Sequence, residues 1–198
     1  TVGAILALEW DGPISYLLQR DNPIDGTDRV TGIRNHLHQY QRGRETFLKG
    51  RYDAMFVIES DIIPPPDALK RLAALDVDVA YGAYIFRKTR TVNVFERYPQ
   101  PARNVGESLS CHPKKLAAAI RKGVVPCSGA GLGCTLIKRH VLEAVEFRTL
   151  QTLTPDVHCD SWFTADVHRK GYSMMADMGV TCGHKDEDGE ILWPSWKS

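Results

Sequence analysis

Short apolar runs alternate along this chain with segments in which apolar residues recur at the helical period of 3.6. That alternation is typical of an α/β fold, in which helices cover a sheet. We find no internal repeat, no low-complexity tract and no linker that would divide the sequence. We therefore predict a single domain over residues 1–198, with a polar tail at 185–198 that contains two tryptophans.

The longest helical pattern extends from about Asp28 to Lys49. Its apolar stripe indicates one buried face, and Gly50 is well suited to end it. Shorter helices are predicted at 67–75, from Pro113 onward, at 139–145 and at 160–169. Residues 2–8 fit either a short helix or an opening strand.

Strands are predicted at 14–18, 54–58, 77–86, 134–137 and 173–180. The run 54–58 is continuously apolar, which is typical of a strand buried on both faces of a parallel sheet. We therefore expect a mixed, mostly parallel sheet flanked by helices.

Composition narrows the class of protein. The 43% hydrophobic and 25% charged residues are ordinary for a soluble globular domain, and the net charge of +1 gives no field that would attract nucleic acid or an anionic membrane. No apolar run approaches the ~20 residues of a membrane helix, and no leader pattern opens the chain. Five cysteines without a disulfide spacing favour free thiols in the cytoplasm. A structural zinc site is the sharper alternative, but its Cys/His pairs are irregularly spaced.

Two carboxylates follow the strand 54–58. Ligands bind beyond the carboxyl ends of strands in open α/β sheets, and Glu59 and Asp61 occupy such an end. Alternate residues of an extended segment point the same way, so the two side chains could converge on Mg²⁺ or Mn²⁺, which prefer oxygen ligands. The alternative is a polar strand end whose side chains make turn hydrogen bonds.

The segment 52–69, YDAMFVIESDIIPPPDAL, resembles the Asp-x-Asp region of GT-A-fold glycosyltransferases, especially those of family 2. The resemblance implies a single GT-A, Rossmann-like domain that binds a nucleoside-diphosphate sugar through Mn²⁺ or Mg²⁺. It places Asp61 as a metal ligand, helped by Glu59, which occupies the first acidic position and also contacts ribose and the metal-bound diphosphate. His184, after the last predicted strand, resembles the histidine that completes the metal shell; the alternative is a surface histidine.

Two further segments resemble the same family. The loop 129–133, with Gly131 at its centre, resembles the glycine-rich segment that lines the donor-sugar pocket, or it is a plain tight turn. The segment 160–172 resembles the one that supplies the general base, which assigns that role to Asp160; Cys159 replaces the acid that usually precedes it. The alternative for Asp160 is a helix N-cap.

Two residues resemble the family's nucleotide contacts. Arg44 lies on the apolar stripe of the long helix, where a charged side chain must find a partner, either the nucleotide or an internal ion pair. Asp21 follows the predicted strand 14–18 and contacts the nucleobase or simply forms a turn. Five other histidines carry no motif and are expected to be structural or solvated: His36, His38, His112, His140 and His168.

Together these patterns predict a metal-dependent, inverting glycosyltransferase that acts on an acceptor hydroxyl. Two departures keep alternatives open: the first strand of the family is missing from the pattern, and residues 87–110 match none of it. A non-catalytic nucleotide- or sugar-binding module is one alternative. A nucleotidyltransferase of related fold is the other, although the chain has no glycine-rich triphosphate loop after a first strand.

Overall fold

The computed structural model describes residues 2–19, 22–96, 107–149 and 158–196. Within them, the helices are α1 (Val2–Leu6), α2 (Arg29–Lys49), α3 (Ala68–Ala74), α4 (Pro113–Lys122), α5 (Arg139–Ala144) and α6 (Cys159–Arg169), with a 3-10 turn at Leu109–Cys111.

Helix α2 confirms the prediction for 28–49. Asp28 is its N-cap, because its carboxylate accepts hydrogen bonds from the backbone N–H groups of Val30 and Thr31. The helix ends at Gly50, whose N–H bonds back to the Phe47 carbonyl. Local signals therefore fix both ends of the longest element.

The strands are β1 (Ala54–Ile58), β2 (Ile62–Ile63), β3 (Val79–Ala83), β4 (Val94–Phe95), β5 (Val124–Pro126), β6 (Gly129–Ala130), β7 (Cys134–Lys138), β8 (Met174–Thr181), β9 (Gly183–Lys185) and β10 (Ile191–Leu192). The main sheet has the order β1-β7-β3-β8-β5.

The fold is mixed α/β, as predicted, but the prediction of a mostly parallel sheet is wrong. Among the strands in the described ranges, only β3 and β8 run parallel; β7 is antiparallel to both β1 and β3, and β5 is antiparallel to β8. The prediction of a parallel sheet was based on the continuous apolar run that forms β1. That strand lies at the edge of the sheet and all five of its residues are half-buried. An apolar run reports burial and carries no information on strand direction.

Helices cover both faces of the main sheet. On β3, Val79 and Tyr81 face the larger core, which includes residues of α2, α5 and α6, whereas Ala80 faces a smaller core with Leu72 of α3. This alternation follows from the two-residue period of a strand. The layers are therefore helix, sheet and helix.

Two short sheets lie beside the main one, β10-β9-β2 and β4-β6. Through the first, the predicted tail folds back: Ile191 of β10 pairs with Lys185 of β9, which in turn pairs with β2, and the Trp196 indole donates to the Met178 carbonyl. At the other end of the chain, α1 shows that residues 2–6 are helical. The predicted strand 14–18 is wrong; this segment is irregular, with Tyr16, Leu17 and Leu18 exposed.

None of the helices in the described ranges is both long and apolar enough to cross a lipid bilayer.

Candidate functional site

Asp61 and His184 meet just beyond the carboxyl end of β1. A turn follows β1, closed by a hydrogen bond from the Ile62 N–H to the Glu59 carbonyl, and β2 then pairs with β9. That pairing brings His184 beside the turn, with its Nε2 3.5 Å from Oδ2 of Asp61. Two residues from distant parts of the sequence, each predicted as a metal ligand, thus lie side by side.

A backbone hydrogen bond at Nδ1 fixes the orientation of the His184 ring. Its Nδ1 is 2.8 Å from the Ile85 carbonyl, and because a carbonyl only accepts, Nδ1 carries the proton and Nε2 faces Asp61. Only 8% of the side chain is exposed. Burial lowers the pKa of His184, but the hydrogen bond and charge of Asp61 and the Ile85 carbonyl outweigh it, so the net pKa is raised.

Asp61 is an ionised carboxylate between two nitrogen groups. Its Oδ2 also lies 3.2 Å from Nη1 of Arg87. Burial raises the pKa of Asp61, but the hydrogen bond and charge of His184 and the charge of Arg87 lower it by more. The net pKa of Asp61 is therefore below its ordinary value. No sequence pattern singled out Arg87, because it lies in the segment 87–110, which matches none of the family's motifs.

Glu59 points toward α2. Its Oε1 accepts a hydrogen bond from the Tyr40 hydroxyl at 2.8 Å and lies 2.9 Å from Nε2 of His36. Burial raises the pKa of Glu59, and these two partners more than reverse the effect, so the pKa is lowered. The expectation that Glu59 and Asp61 would point the same way assumed an extended backbone. The turn at residues 60–61 removes that condition, and the two carboxylates have different partners.

His36 and Tyr40 were missed as site residues. We expected His36 to be structural or solvated and assigned no role in the site to Tyr40. They lie four residues apart on α2, so both reach the same side of the helix, and their rings pack edge-to-face with centroids 4.8 Å apart. A histidine on the buried face of a helix, one turn from a tyrosine, was the available signal.

Asp160 lies in the first turn of α6, and His158 rather than Asp160 is the N-cap. The Asp160 carboxylate accepts from the Ser161 N–H at 2.7 Å. Burial raises its pKa and the charge of Glu59 adds to the effect, whereas His158, the Ser161 N–H and His36 act in the opposite direction; the net pKa is raised.

The three predicted carboxylates surround one region. His36 links them: it pairs with Glu59, its ring lies 5.9 Å from that of His158, and the charges of Glu59, Asp160 and Asp61 all raise its pKa, against the lowering by burial. Residues just after β1, in the turn before β2 and in the first turn of α6 therefore lie around His36, near the end of β1.

Gly131 and Gly133 allow close packing beside these carboxylates. A Cβ at Gly131 would lie 2.1 Å from the Tyr84 hydroxyl oxygen, and one at Gly133 would lie 3.0 Å from Oε2 of Glu59. Tyr84 in turn packs edge-to-face on His184 at 5.3 Å. The requirement for glycine at 131 thus has an explanation within the protein, and the predicted donor contact of Gly131 stays a prediction.

The two predicted nucleotide contacts have different outcomes. Nε of Arg44 donates to the Leu142 carbonyl at 2.7 Å, and Nη1 lies 4.0 Å from the exposed carboxylate of Glu146. Arg44 thus satisfies the expected need for an internal partner by bonding the end of α5. Asp21 lies outside the described residues.

Asp61 and His184 are suitable ligands for Mn²⁺ or Mg²⁺. A carboxylate oxygen faces an imidazole nitrogen whose other N–H is held by a backbone carbonyl, the arrangement that orients metal-binding histidines; imidazole favours Mn²⁺ over Mg²⁺. Within the described residues, no group of three or more His, Cys, Asp or Glu side chains is placed to hold a metal. The predicted three-ligand set, with Glu59, therefore stays a prediction.

No family model matches this sequence, and no curated protein matches it. Among solved structures, the crystal structure of A197 from STIV is similar, with a TM-score of 0.53 and 17% sequence identity over 82% of this chain and 78% of A197. At that identity the likeness concerns the fold alone.

Proposed function

We propose that this protein transfers a sugar from a nucleoside-diphosphate sugar to an acceptor hydroxyl, with inversion at the anomeric carbon. One observation carries the proposal: two segments that resemble glycosyltransferases separately, 52–69 with Glu59 and Asp61 and 160–172 with Asp160, meet around His36 near the end of β1, and His184 lies 3.5 Å from Asp61.

Asp61 and His184 would hold Mn²⁺ or Mg²⁺ on the donor diphosphate. The ion supplies neutralisation of the charge that develops on the leaving nucleoside diphosphate. Glu59 is fixed on one oxygen by Tyr40 and His36, which leaves its carboxylate oriented to accept hydrogen bonds from the ribose hydroxyls.

Asp160 would be the general base. As the acceptor oxygen attacks the anomeric carbon, its proton passes to the Asp160 carboxylate, and the bond from that carbon to the diphosphate oxygen breaks with its electron pair on the diphosphate. A raised pKa makes Asp160 a stronger base than an ordinary aspartate.

The first test is thermal unfolding with uridine, guanosine, cytidine, adenosine and thymidine diphosphates, with and without Mn²⁺. A ligand at 100 times its Kd adds about 2.7 kcal/mol of stability. We expect one nucleotide to raise the Tm, chiefly with Mn²⁺. Asp61→Asn should abolish the effect of Mn²⁺. The control Asp76→Asn removes an exposed carboxylate paired with Lys138, at the opposite end of the strands, and should leave it intact. A Tm unmoved by all five nucleotides would count against the proposal.

Release of nucleoside diphosphate then separates a transferase from a binding module. With the sugar donor of the nucleotide identified above, we expect slow hydrolysis to water even without an acceptor. Asp160→Asn should lower this release by about 100-fold or more while the nucleotide-induced Tm shift persists. Binding without any release would instead favour the non-catalytic alternative.

A further inference from the structure

We propose that Arg87 is the diphosphate-binding residue of this site, and that it leaves Asp61 when the donor and its metal ion bind. This inference rests on the proposed function. It assigns a role within the segment 87–110, which matched no pattern in the sequence.

Arg87 lies on a tight basic turn. Hydrogen bonds from the Phe86 N–H to the Thr91 carbonyl at 2.8 Å and from the Arg90 N–H to the Phe86 carbonyl at 2.9 Å close the turn. Besides Arg87, the turn carries Lys88 and Arg90, both exposed. Within the part of the chain that the structure describes, neither of these two side chains has an ion-pair partner. Three cations in four residues therefore border a site made of carboxylates.

The same turn contacts both predicted metal ligands, Asp61 and His184. Ile85, the residue just before the turn, supplies the carbonyl that orients His184, and the turn itself places Arg87 against Asp61. The position of the guanidinium is thus coupled to the geometry of the site through a short, hydrogen-bonded segment.

Arg87 and a metal ion would compete for one oxygen. Nη1 of Arg87 lies 3.2 Å from Oδ2 of Asp61, the same oxygen that faces Nε2 of His184 at 3.5 Å. A divalent ion bound between Asp61 and His184 would repel a guanidinium at that distance. With 39% of its side chain exposed, Arg87 has room to leave.

A diphosphate can replace Asp61 as the anionic partner of Arg87. Guanidinium binds phosphate oxygens in a planar, two-pronged geometry, and Lys88 and Arg90 add attraction without a fixed geometry. Arg87 would therefore exchange the carboxylate of Asp61 for the donor diphosphate, and metal and diphosphate would bind cooperatively.

The test measures two ligands separately on the full chain. Arg87→Gln is compared with wild type and with Arg121→Gln, a control that removes an exposed arginine from α4, beside β5 at the opposite edge of the sheet. Titration calorimetry measures the nucleoside diphosphate in EDTA, and electron paramagnetic resonance measures Mn²⁺ alone. We expect Arg87→Gln to weaken the diphosphate about 10- to 100-fold, the range for a lost charge-assisted hydrogen bond. It should tighten Mn²⁺ about fivefold, because a unit charge about 4 Å away is removed from a water-exposed site.

The opposite signs are decisive. Weaker diphosphate together with tighter Mn²⁺ supports the exchange. A parallel weakening of both ligands would show that Arg87 only supports the fold, and unchanged affinities would show that it touches neither; both results overturn the inference and leave the proposed function standing. If wild type binds neither ligand, the proposed function fails and this inference fails with it.

Discussion

Replacement of Tyr40 by Phe removes one hydroxyl from the buried partner set of Glu59. The hydroxyl lies 2.8 Å from Oε1, and Tyr40 is only 6% exposed. Hydrogen bonds to charged groups contribute about 1.5–3 kcal/mol. Glu59 keeps His36 and is itself 24% exposed, so water replaces part of the loss and the lower end applies. We expect Tyr40→Phe to reduce the free energy of unfolding by about 1.5 kcal/mol, or the Tm by about 3–6 °C for a chain of this length.

The effect of Tyr40→Phe should depend on pH in a defined direction. The folded-state pKa of Glu59 is lowered from its ordinary 4.5, so the stability that its ionised form contributes is present above about pH 4.5 and is lost as the pH falls through the folded-state pKa. The difference between wild type and variant should therefore be full at pH 7 and shrink at acid pH.

Urea unfolding at several pH values measures this difference. Tyr172→Phe is the matched control, because the Tyr172 hydroxyl has no hydrogen bond to any residue that the structure describes. A loss that is equal for both variants, or one that does not shrink with acid, would refute the view that Tyr40 stabilises the Glu59 carboxylate.

Three further variants test other contacts. Gly131→Ala should destabilise by about 1–3 kcal/mol in thermal unfolding, because the new Cβ lies 2.1 Å from the Tyr84 oxygen; Tyr84→Phe should recover part of that loss, and no recovery would refute the clash. Asp160→Asn should raise the Tm at pH 7. The raised pKa of Asp160 means that stability is lost as pH rises through it, so a lower Tm would contradict this sign. Arg71→Ala leaves the Asp177 carboxylate, 4% exposed and bonded to Arg71 at 2.8 and 3.0 Å, without its cation. Because Arg71 is 41% exposed and Asp177 keeps the hydrogen bond from the Gly179 N–H, urea unfolding should show a loss of about 1.5–3 kcal/mol; a loss below 1 kcal/mol would mean that water replaces the guanidinium.

The sequence was sufficient wherever structure is decided locally. The apolar stripe and the terminal Gly50 predicted α2 to within a residue, and the periodic segments predicted α3, α5 and α6. Strand direction was not predictable, because β7 is placed between β1 and β3 by contacts across the whole chain.

The site residues also differ in how far the sequence could predict them. Asp61 and Asp160 could be nominated because each stands in a recognisable local pattern. Arg87 could not, since its role depends on a turn that brings it to Asp61 across a gap in sequence and leaves no periodic trace. Glu59 shows most clearly what local patterns cannot predict. Its place at the end of β1 was predicted, but its hydrogen-bond partners on α2 depend on the turn that follows it.

The order of the strands has a consequence for folding kinetics. The central ladder joins β3 to β8, and contacts such as Arg71 with Asp177 span 106 residues while His184 reaches Ile85 across 99. Closing such long loops lowers the entropy of the chain before the stabilising contacts have formed, and this slows folding. Helix α2 has the local signals to form early, whereas the junction of Asp61 with His184 cannot form until residue 184 has been synthesised. The site would thus acquire its native geometry on the ribosome later than α2.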